Sequence, residues 1–189
     1  MADAHSRKMK CLMMNSDPSD IPVVETPRTI LRGHRLSDFD ASATMWADLA
    51  VTQYIGGRAM TAEEVWGRLL RYAGLWKLFG FGYWVIEEKG SGRFLGEAGF
   101  QNLRRDIVPA FDDAPEAGWV LAPAAHGKGL ASEVAMAMHA WGDEHFGGAR
   151  TVCIIDPGNG SSIRVAEKCG YREVTRTTYK GSPTVLFER

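Results

Sequence analysis

The segment Trp119-Val120-Leu121-Ala122-Pro123-Ala124-Ala125-His126-Gly127-Lys128-Gly129-Leu130-Ala131-Ser132 constrains this chain more than any other. Apolar residues of a strand run into a glycine-bearing turn. The turn opens a helix with Leu130, Val134, Ala137, Met138 and Trp141 on one side. The first amides of a helix have no intrahelical acceptor, and the macrodipole puts partial positive charge at that end. Glycines there let an anion come close to the backbone. A strand, turn and helix of this composition suit a phosphate or pyrophosphate.

Three readings of the turn are open. A P-loop needs Lys followed by Ser or Thr after its last glycine, which Gly129-Leu130 does not supply. A dinucleotide fingerprint is half-matched by Gly127-Lys128-Gly129-Leu130-Ala131-Ser132, and Asp156 ends the next strand, where a ribose-binding acid belongs. Against it, Ser132 replaces the third glycine, and Ala122 to His126 separate the strand from the first one. Too little chain follows Asp156 for further βαβ units. The third reading is an ordinary loop in a chain with 21 glycines.

Composition excludes several classes. Lys plus Arg is 22 against 23 for Asp plus Glu, a net charge of −1, so no basic excess draws the chain to nucleic acid or an anionic membrane. The longest uncharged stretch, Ala117 to Gly127, falls well short of the roughly 20 apolar residues of a membrane span. Apolar residues at 45% and charged residues at 24% fit one globular domain. Cys11, Cys153 and Cys169 are scattered and form no disulfide framework, so a cytoplasmic location is expected. Met1 to Asp20 carries Arg7, Lys8 and Lys10 ahead of a short apolar run, Cys11 to Met14. That run is below the about 7–15 residues of a signal-peptide core, and a disordered tail is expected, with the domain at 21–189.

Along that domain, Arg28 to Gly33 alternates as a strand does, and Ser37 with Asp40 suggests a loosely capped helix to about Leu49. Thr61-Ala62-Glu63-Glu64 is a clearer capping box before a helix with Val65, Leu69, Tyr72, Trp76 and Phe79 on one face, stopped by Gly80 and Gly82. Tyr83–Ile86 and Arg93–Phe100 read as a hairpin around Gly90-Ser91-Gly92. A polar, acidic loop from Leu103 to Pro115 leads to a strand at Glu116–Leu121 and a helix from Leu130 to Phe146. Thr151–Ile155 is apolar throughout, as in a strand covered on both faces. A short helix at Ser162–Cys169 ends at Gly170, and Tyr171–Tyr179 with Thr184–Phe187 form a closing hairpin. The order β-α-α-β-β-β-α-β-α-β-β predicts an α/β (mixed α+β) fold, one mixed sheet with helices on its faces.

Asn159-Gly160-Ser161-Ser162-Ile163-Arg164-Val165-Ala166-Glu167-Lys168-Cys169-Gly170-Tyr171 resembles the N-x-x-S-I-R-V-x-E-K-x-G-[FY] segment of GNAT acetyltransferases in the RimJ/RimL-like branch. His126-Gly127-Lys128-Gly129-Leu130-Ala131 is similar to that family's [QR]-x-x-G-x-[GA] turn. Gly82–Ile86, Phe94–Phe100 and Glu116–Leu121 follow the family pattern in the same order, so the likeness covers about Ile21 to Arg189. The resemblance implies a GNAT-like fold with a mostly antiparallel central sheet, and acetyl-coenzyme A as co-substrate with no metal. It implies acetyl transfer to a primary amine by direct attack in a ternary complex, with a peptide α-amino group or a small-molecule amine as acceptor.

Roles carried over by resemblance are these. The amides of Gly127, Lys128, Gly129, Leu130 and Ala131 would hold the pyrophosphate, and the backbone of Trp119, Val120 and Leu121 would pair with the pantetheine arm. The Thr151–Ile155 strand would splay to admit it. Asn159 would bond the arm, and Ser162 would sit near the thioester sulfur. His126 stands where Gln or Arg is usual, which makes its phosphate contact depend on an imidazole.

Acetyl transfer needs a neutral amine, a fixed donor for the thioester oxygen, and a donor for the departing thiolate. A backbone N–H near Val120 and the Ser162 hydroxyl are the expected donors. Glu116 is the expected base and Glu97 its rival, an acid set unusually among Gly96, Ala98 and Gly99. Cys153 and Cys169 read as packing, and His139, Asp143 and His145 lack metal-site spacing. Trp46, Tyr54 and Trp84 are candidates to shape the acceptor site, and Arg104-Arg105 reads as a solvated loop pair. Two other classes stay open: a non-catalytic acyl-CoA-binding module that keeps the turn without a working base, and a nicotinamide-dependent oxidoreductase.

Overall fold

The computed structural model describes residues 21–111 and 114–189. The tail at 1–20, Cys11 with it, and Asp112 and Asp113 of the acidic loop lie outside the described residues.

The chain starts with two short strands, β1 (Val24–Glu25) and β2 (Thr29–Arg32), and three helices, α1 (Phe39–Ala47), α2 (Leu49–Thr52) and α3 (Ala62–Phe79). A meander follows, β3 (Tyr83–Glu88), β4 (Phe94–Gln101) and β5 (Glu116–Leu121), and then α4 (Leu130–His145), β6 (Val152–Ile155) and α5 (Gly160–Lys168). β7 (Arg172–Tyr179) and β8 (Ser182–Glu188) close the chain. The strands form one sheet in the order β1-β2-β3-β4-β5-β6-β8-β7. Among the described residues every neighbouring pair is antiparallel except β5 and β6, which are parallel. No helix among the described residues is long and apolar enough to cross a membrane.

Local chemistry accounts for most element ends. Thr61 Oγ1 accepts the Glu64 N–H at 3.3 Å and the Thr61 N–H reaches Glu64 Oε2 at 2.9 Å, so the box opens α3. Gly80 takes the left-handed conformation (φ 72°) that ends it. Val65, Leu69, Tyr72, Leu75 and Trp76 are its buried side.

The helix expected from Ser37 to Leu49 differs in detail. Asp38, not Ser37, governs its start: Asp38 accepts the Arg35 N–H at 2.6 Å and a two-point ion pair from Arg32 at 2.8 Å. Asp48 is extended (φ −81°, ψ 123°) and splits the helix, its carboxylate capping α2 through the Ala50 N–H at 2.8 Å. The side chain competes with the helix for its own backbone, which periodicity does not register.

The main core lies between the sheet and α4. Trp84, Phe100, Leu121, Val134 and Met138 meet Cys153, Ile155, Val185 and Phe187 there in one cluster. On the other face α1, α2 and α3 cover β4 and β5 through Met45, Trp46, Val51, Val65 and Val120.

Candidate active site

β5 and β6 form a single ladder pair, Glu116 with Val152, at their N-terminal ends. Beyond it they separate, and a cavity of about 430 Å³ opens along the C-terminal half of β5. Its β5 wall is Trp119, Val120 and Leu121, and its opposite wall is Asn159, Ser162 and Val165 of α5 and its cap. The expected splay is present.

The direction of the β5 amides follows from two bonds. The Ala122 N–H donates to Leu95 O at 2.8 Å, and the Val152 N–H donates to Pro115 O at 3.0 Å. Alternation in an antiparallel pair then turns even-numbered β5 residues, opposite Glu97 and Gly99, toward β4 and odd-numbered ones toward β6. This narrows the donor expected near Val120. Its N–H belongs to the β4 ladder, while those of Trp119 and Leu121 face the gap. Val120 lines the cavity by its side chain.

The turn expected to hold an anion lies at one end of the cavity. Gly127 (φ 71°) and Gly129 (φ 72°) are both left-handed, and Gly129 precedes the first turn of α4 with no side chain capping it. A Cβ on Gly127 would meet nothing within 4 Å, so that stretch of backbone is open. The amides of Leu130 and Ala131 thus start a helix at the cavity wall without a protein cap. From outside, Arg28 bonds Lys128 O at 2.9 Å and pairs with Glu133, fixing the turn to the β1–β2 corner. The Lys128 ammonium donates to Ala124 O at 2.8 Å. His126 Nε2–H donates to Leu121 O at 2.8 Å. The imidazole thereby occupies the Leu121 carbonyl and braces the loop at the cavity wall.

Asn159 Oδ1 accepts the Ser162 N–H at 3.1 Å and caps α5, so its amide NH₂ is the part left for a ligand. Ser162 is half-buried on the cavity wall. Arg164 and Lys168, four apart on α5, line the cavity too, as do Val51 and Tyr54 from the α2 side. The i, i+4 spacing of the two cations was legible; a four-residue α2 gave no periodicity to read. Trp119 Nε1–H is buried at this wall without a partner among the described residues.

The carboxylates lie elsewhere. Glu116 is 4% exposed and does not line the cavity. Arg105 Nε donates to its Oε2 at 2.5 Å, and Arg105 Nη2 and Gln101 Nε2 donate to its Oε1 at 2.6 and 2.9 Å. The expectation of Glu116 as a base is corrected: both oxygens are held by a part-buried guanidinium and an amide at the closed end of the β5–β6 pair. Arg105, taken for a solvated loop residue, is that partner, and its guanidinium also lies 4.9 Å from the Tyr179 ring.

Glu97, 1% exposed, accepts from Ser42 Oγ at 2.6 Å, Trp46 Nε1 at 3.0 Å and the Tyr72 hydroxyl at 3.1 Å. Burial pushes its pKa up, but His34 at 3.6 Å and these donors hold it below the usual carboxylate value. It ties α1 and α3 to β4. Trp46 therefore belongs to this network, and Trp84 is core, its indole donating to Pro22 O at 2.7 Å. Of the three aromatics proposed to shape an acceptor site, Tyr54 borders the cavity.

Burial raises the thiol pKa of Cys153 and of Cys169, as in core cysteines. Among the described residues no cluster of three metal-ligating side chains occurs.

The geometry so far is a parallel pair held open, with inward amides and an uncapped helix start at one end. A family model described as an acetyltransferase (GNAT) domain matches residues 28–172.

The chain belongs to the GNAT acetyltransferase family.

It is similar to the Bacillus subtilis (strain 168) protein YkkB, 34% identical over 117 residues, which are 60% of this chain and 63% of that one. The match thus spans just under two thirds of that relative's length. A solved GNAT-family acetyltransferase from Bordetella pertussis is 34% identical with a TM-score of 0.79, covering 89% of this chain and 99% of the other. A solved ribosomal L7/L12 α-N-protein acetyltransferase in complex with coenzyme A has a TM-score of 0.71 at 16% identity, over 89% of this chain and 97% of the other. At that identity the likeness is one of fold. GNAT enzymes use acetyl-coenzyme A, and the splayed strands, the paired left-handed glycines and the orphaned Trp119 N–H fit such a group.

Proposed function

We propose that this chain is an acetyl-coenzyme A-dependent N-acetyltransferase acting on a primary amine, a peptide α-amino group or a small-molecule amine. The observation that carries the reading is the confinement of β5–β6 pairing to Glu116 and Val152, which leaves the Trp119 and Leu121 amides without strand partners. The coenzyme supplies an acetyl group activated as a thioester. In this reading the amides of the 127–131 turn bind the pyrophosphate, and those of Trp119 and Leu121 align the arm and meet negative charge at the acyl oxygen. The Asn159 NH₂ bonds the arm, and the Ser162 hydroxyl donates toward the departing sulfur and relays to it the proton that the attacking amine gives up. With Glu97 and Glu116 both saturated, the amine reaches the site already neutral, and positioning together with the backbone donors carries the rate.

Titration calorimetry with acetyl-CoA and with NAD, followed by thiol release over an amine panel, tests this. Binding of acetyl-CoA alone with thiol release is expected. NAD binding in its place overturns the reading, and acetyl-CoA binding without thiol release from any amine leaves an acyl-CoA-binding module.

A further inference from the structure

On the α1–α3 face, β5 has no side chain at Gly118. A Cβ there would collide with the Tyr83 hydroxyl, which reaches β5 across β4 at Gly99, its register partner. The phenol therefore stands on the residue preceding Trp119, whose amide faces the gap. Its hydroxyl has no hydrogen-bond partner among the described residues. The Tyr72 ring stacks on it at 4.6 Å and 8°.

Arginines surround this pair. Arg68 donates to the Tyr72 hydroxyl at 3.1 Å, and its guanidinium lies 3.9 Å from the Trp46 ring. The Arg71 guanidinium lies 5.7 Å from the Tyr72 ring. Arg105 stands across from them, on Glu116, two residues before Gly118 on the same side of β5. The two nearby carboxylates are spent, Glu116 on Arg105 and Glu97 on its three donors and His34. Arg71 has neither an ion pair nor a hydrogen bond among the described residues. Its helical neighbours three and four residues away are Gly67, Arg68, Gly74 and Leu75, so its own helix offers no acid either. Desolvation and then the Arg68 and Arg105 charges hold its proton affinity below the ordinary arginine value, so the cations sense one another although Arg71 is open to water.

We propose that the acceptor carries a carboxylate a few bonds from its reactive amine, and that Arg71, backed by Arg68, holds that carboxylate. The inference rests on the acetyl-transfer reading and names its substrate class. A guanidinium binds a carboxylate through paired N–H donors, whereas a polyamine brings like charge to the same place. The carboxylate belongs either to a free amino acid or to an acidic side chain next to a peptide N-terminus.

The test measures kcat/KM by thiol release for two matched pairs, with rates referred to the neutral amine. One pair is a β-amino acid and its carboxamide; the other is Ala-Asp-amide and Ala-Asn-amide. Spermidine is the cationic comparison. A preference of about tenfold or more for the acid is expected in one pair, mainly in KM, and the pair that shows it identifies the source. Arg71→Gln should collapse that ratio toward one, and Arg71→Lys should keep part of it. Acetyl-CoA affinity, measured on the same variants, reports that the site is intact. A ratio near one in both pairs for the unsubstituted protein, or a ratio that survives Arg71→Gln, overturns the proposal. In those cases amines are still acetylated and the transferase reading stands. If acetyl-CoA binds and no acceptor releases thiol, the transferase reading fails and takes this proposal with it.

Discussion

Glu116 and Arg105 form a pair in which each is expensive to strand. With Glu116 buried and Arg105 part-buried, removal of one partner costs up to about 3 kcal/mol, because the other is left charged and poorly hydrated. Glu116→Gln keeps the shape and some hydrogen bonding, so about 2–3 kcal/mol of lost stability is expected, read as a lower urea midpoint. A general base gives a different signature, a turnover deficit that shrinks as pH rises. Unchanged stability with that signature would restore Glu116 to the chemistry.

His139 is a second residue whose burial makes a measurable statement. Its Nδ1–H donates to Ala135 O at 2.7 Å, its Nε2 accepts from the Tyr171 hydroxyl at 2.9 Å, and burial lowers its pKa to about 4. The folded value lies below the unfolded one of about 6.5, so between these pH values the unfolded chain binds more protons. Stability is full above about 6.5 and falls by up to about 3 kcal/mol as pH drops toward 4. His139→Gln should flatten that slope in urea midpoints taken from pH 7 to 4. Parallel slopes for the two proteins would show that another group sets the acid limit.

At the scale of elements, the candidate site is the junction of β5 with α4. The helix start is left uncapped by protein, and the turn before it is braced by His126 on Leu121 O and by Arg28 on Lys128 O. Gly129→Asp puts a carboxylate at that opening and a side chain at a left-handed position. Acetyl-CoA affinity should fall at least tenfold in calorimetry while the variant still melts cooperatively; an unchanged Kd in a folded variant would move the anion site elsewhere.

This junction was the most legible part of the sequence, because its strand, turn and helix are contiguous and each is marked locally. The Thr61 box and the Gly80 stop were legible for the same reason. What escaped was long-range pairing. That Arg105 leaves its loop for Glu116, that Asp48 breaks a helix to cap the next one, and that Glu97 collects donors from α1 and α3 depend on which elements meet. The choice between Val120 and its neighbours as amide donors turned on ladder phase, which a strand pattern leaves undetermined.

At the scale of the whole molecule, the sheet is two halves, β1 to β5 and β6-β8-β7, joined by one ladder pair. What keeps them together is the core beneath, where residues of α4 touch Trp84 and Phe100 on one side and Cys153 and Phe187 on the other. A ligand that fills the gap bonds both halves and binds the folded state alone. At about 100 times its Kd, such a ligand adds about 2.7 kcal/mol. In a domain of this size that is a rise of about 5–11 °C in Tm. Hydrogen exchange should show where the gain goes. The Trp119 and Leu121 amides, which lack strand partners, should pass from fast exchange to protection when coenzyme A is added. The Val120 amide, already in the β4 ladder, should change only with global stability. Protection of Val120 with Trp119 and Leu121 left fast would reverse the assigned ladder phase, and a Tm rise with no change along β5 would place the ligand outside the gap.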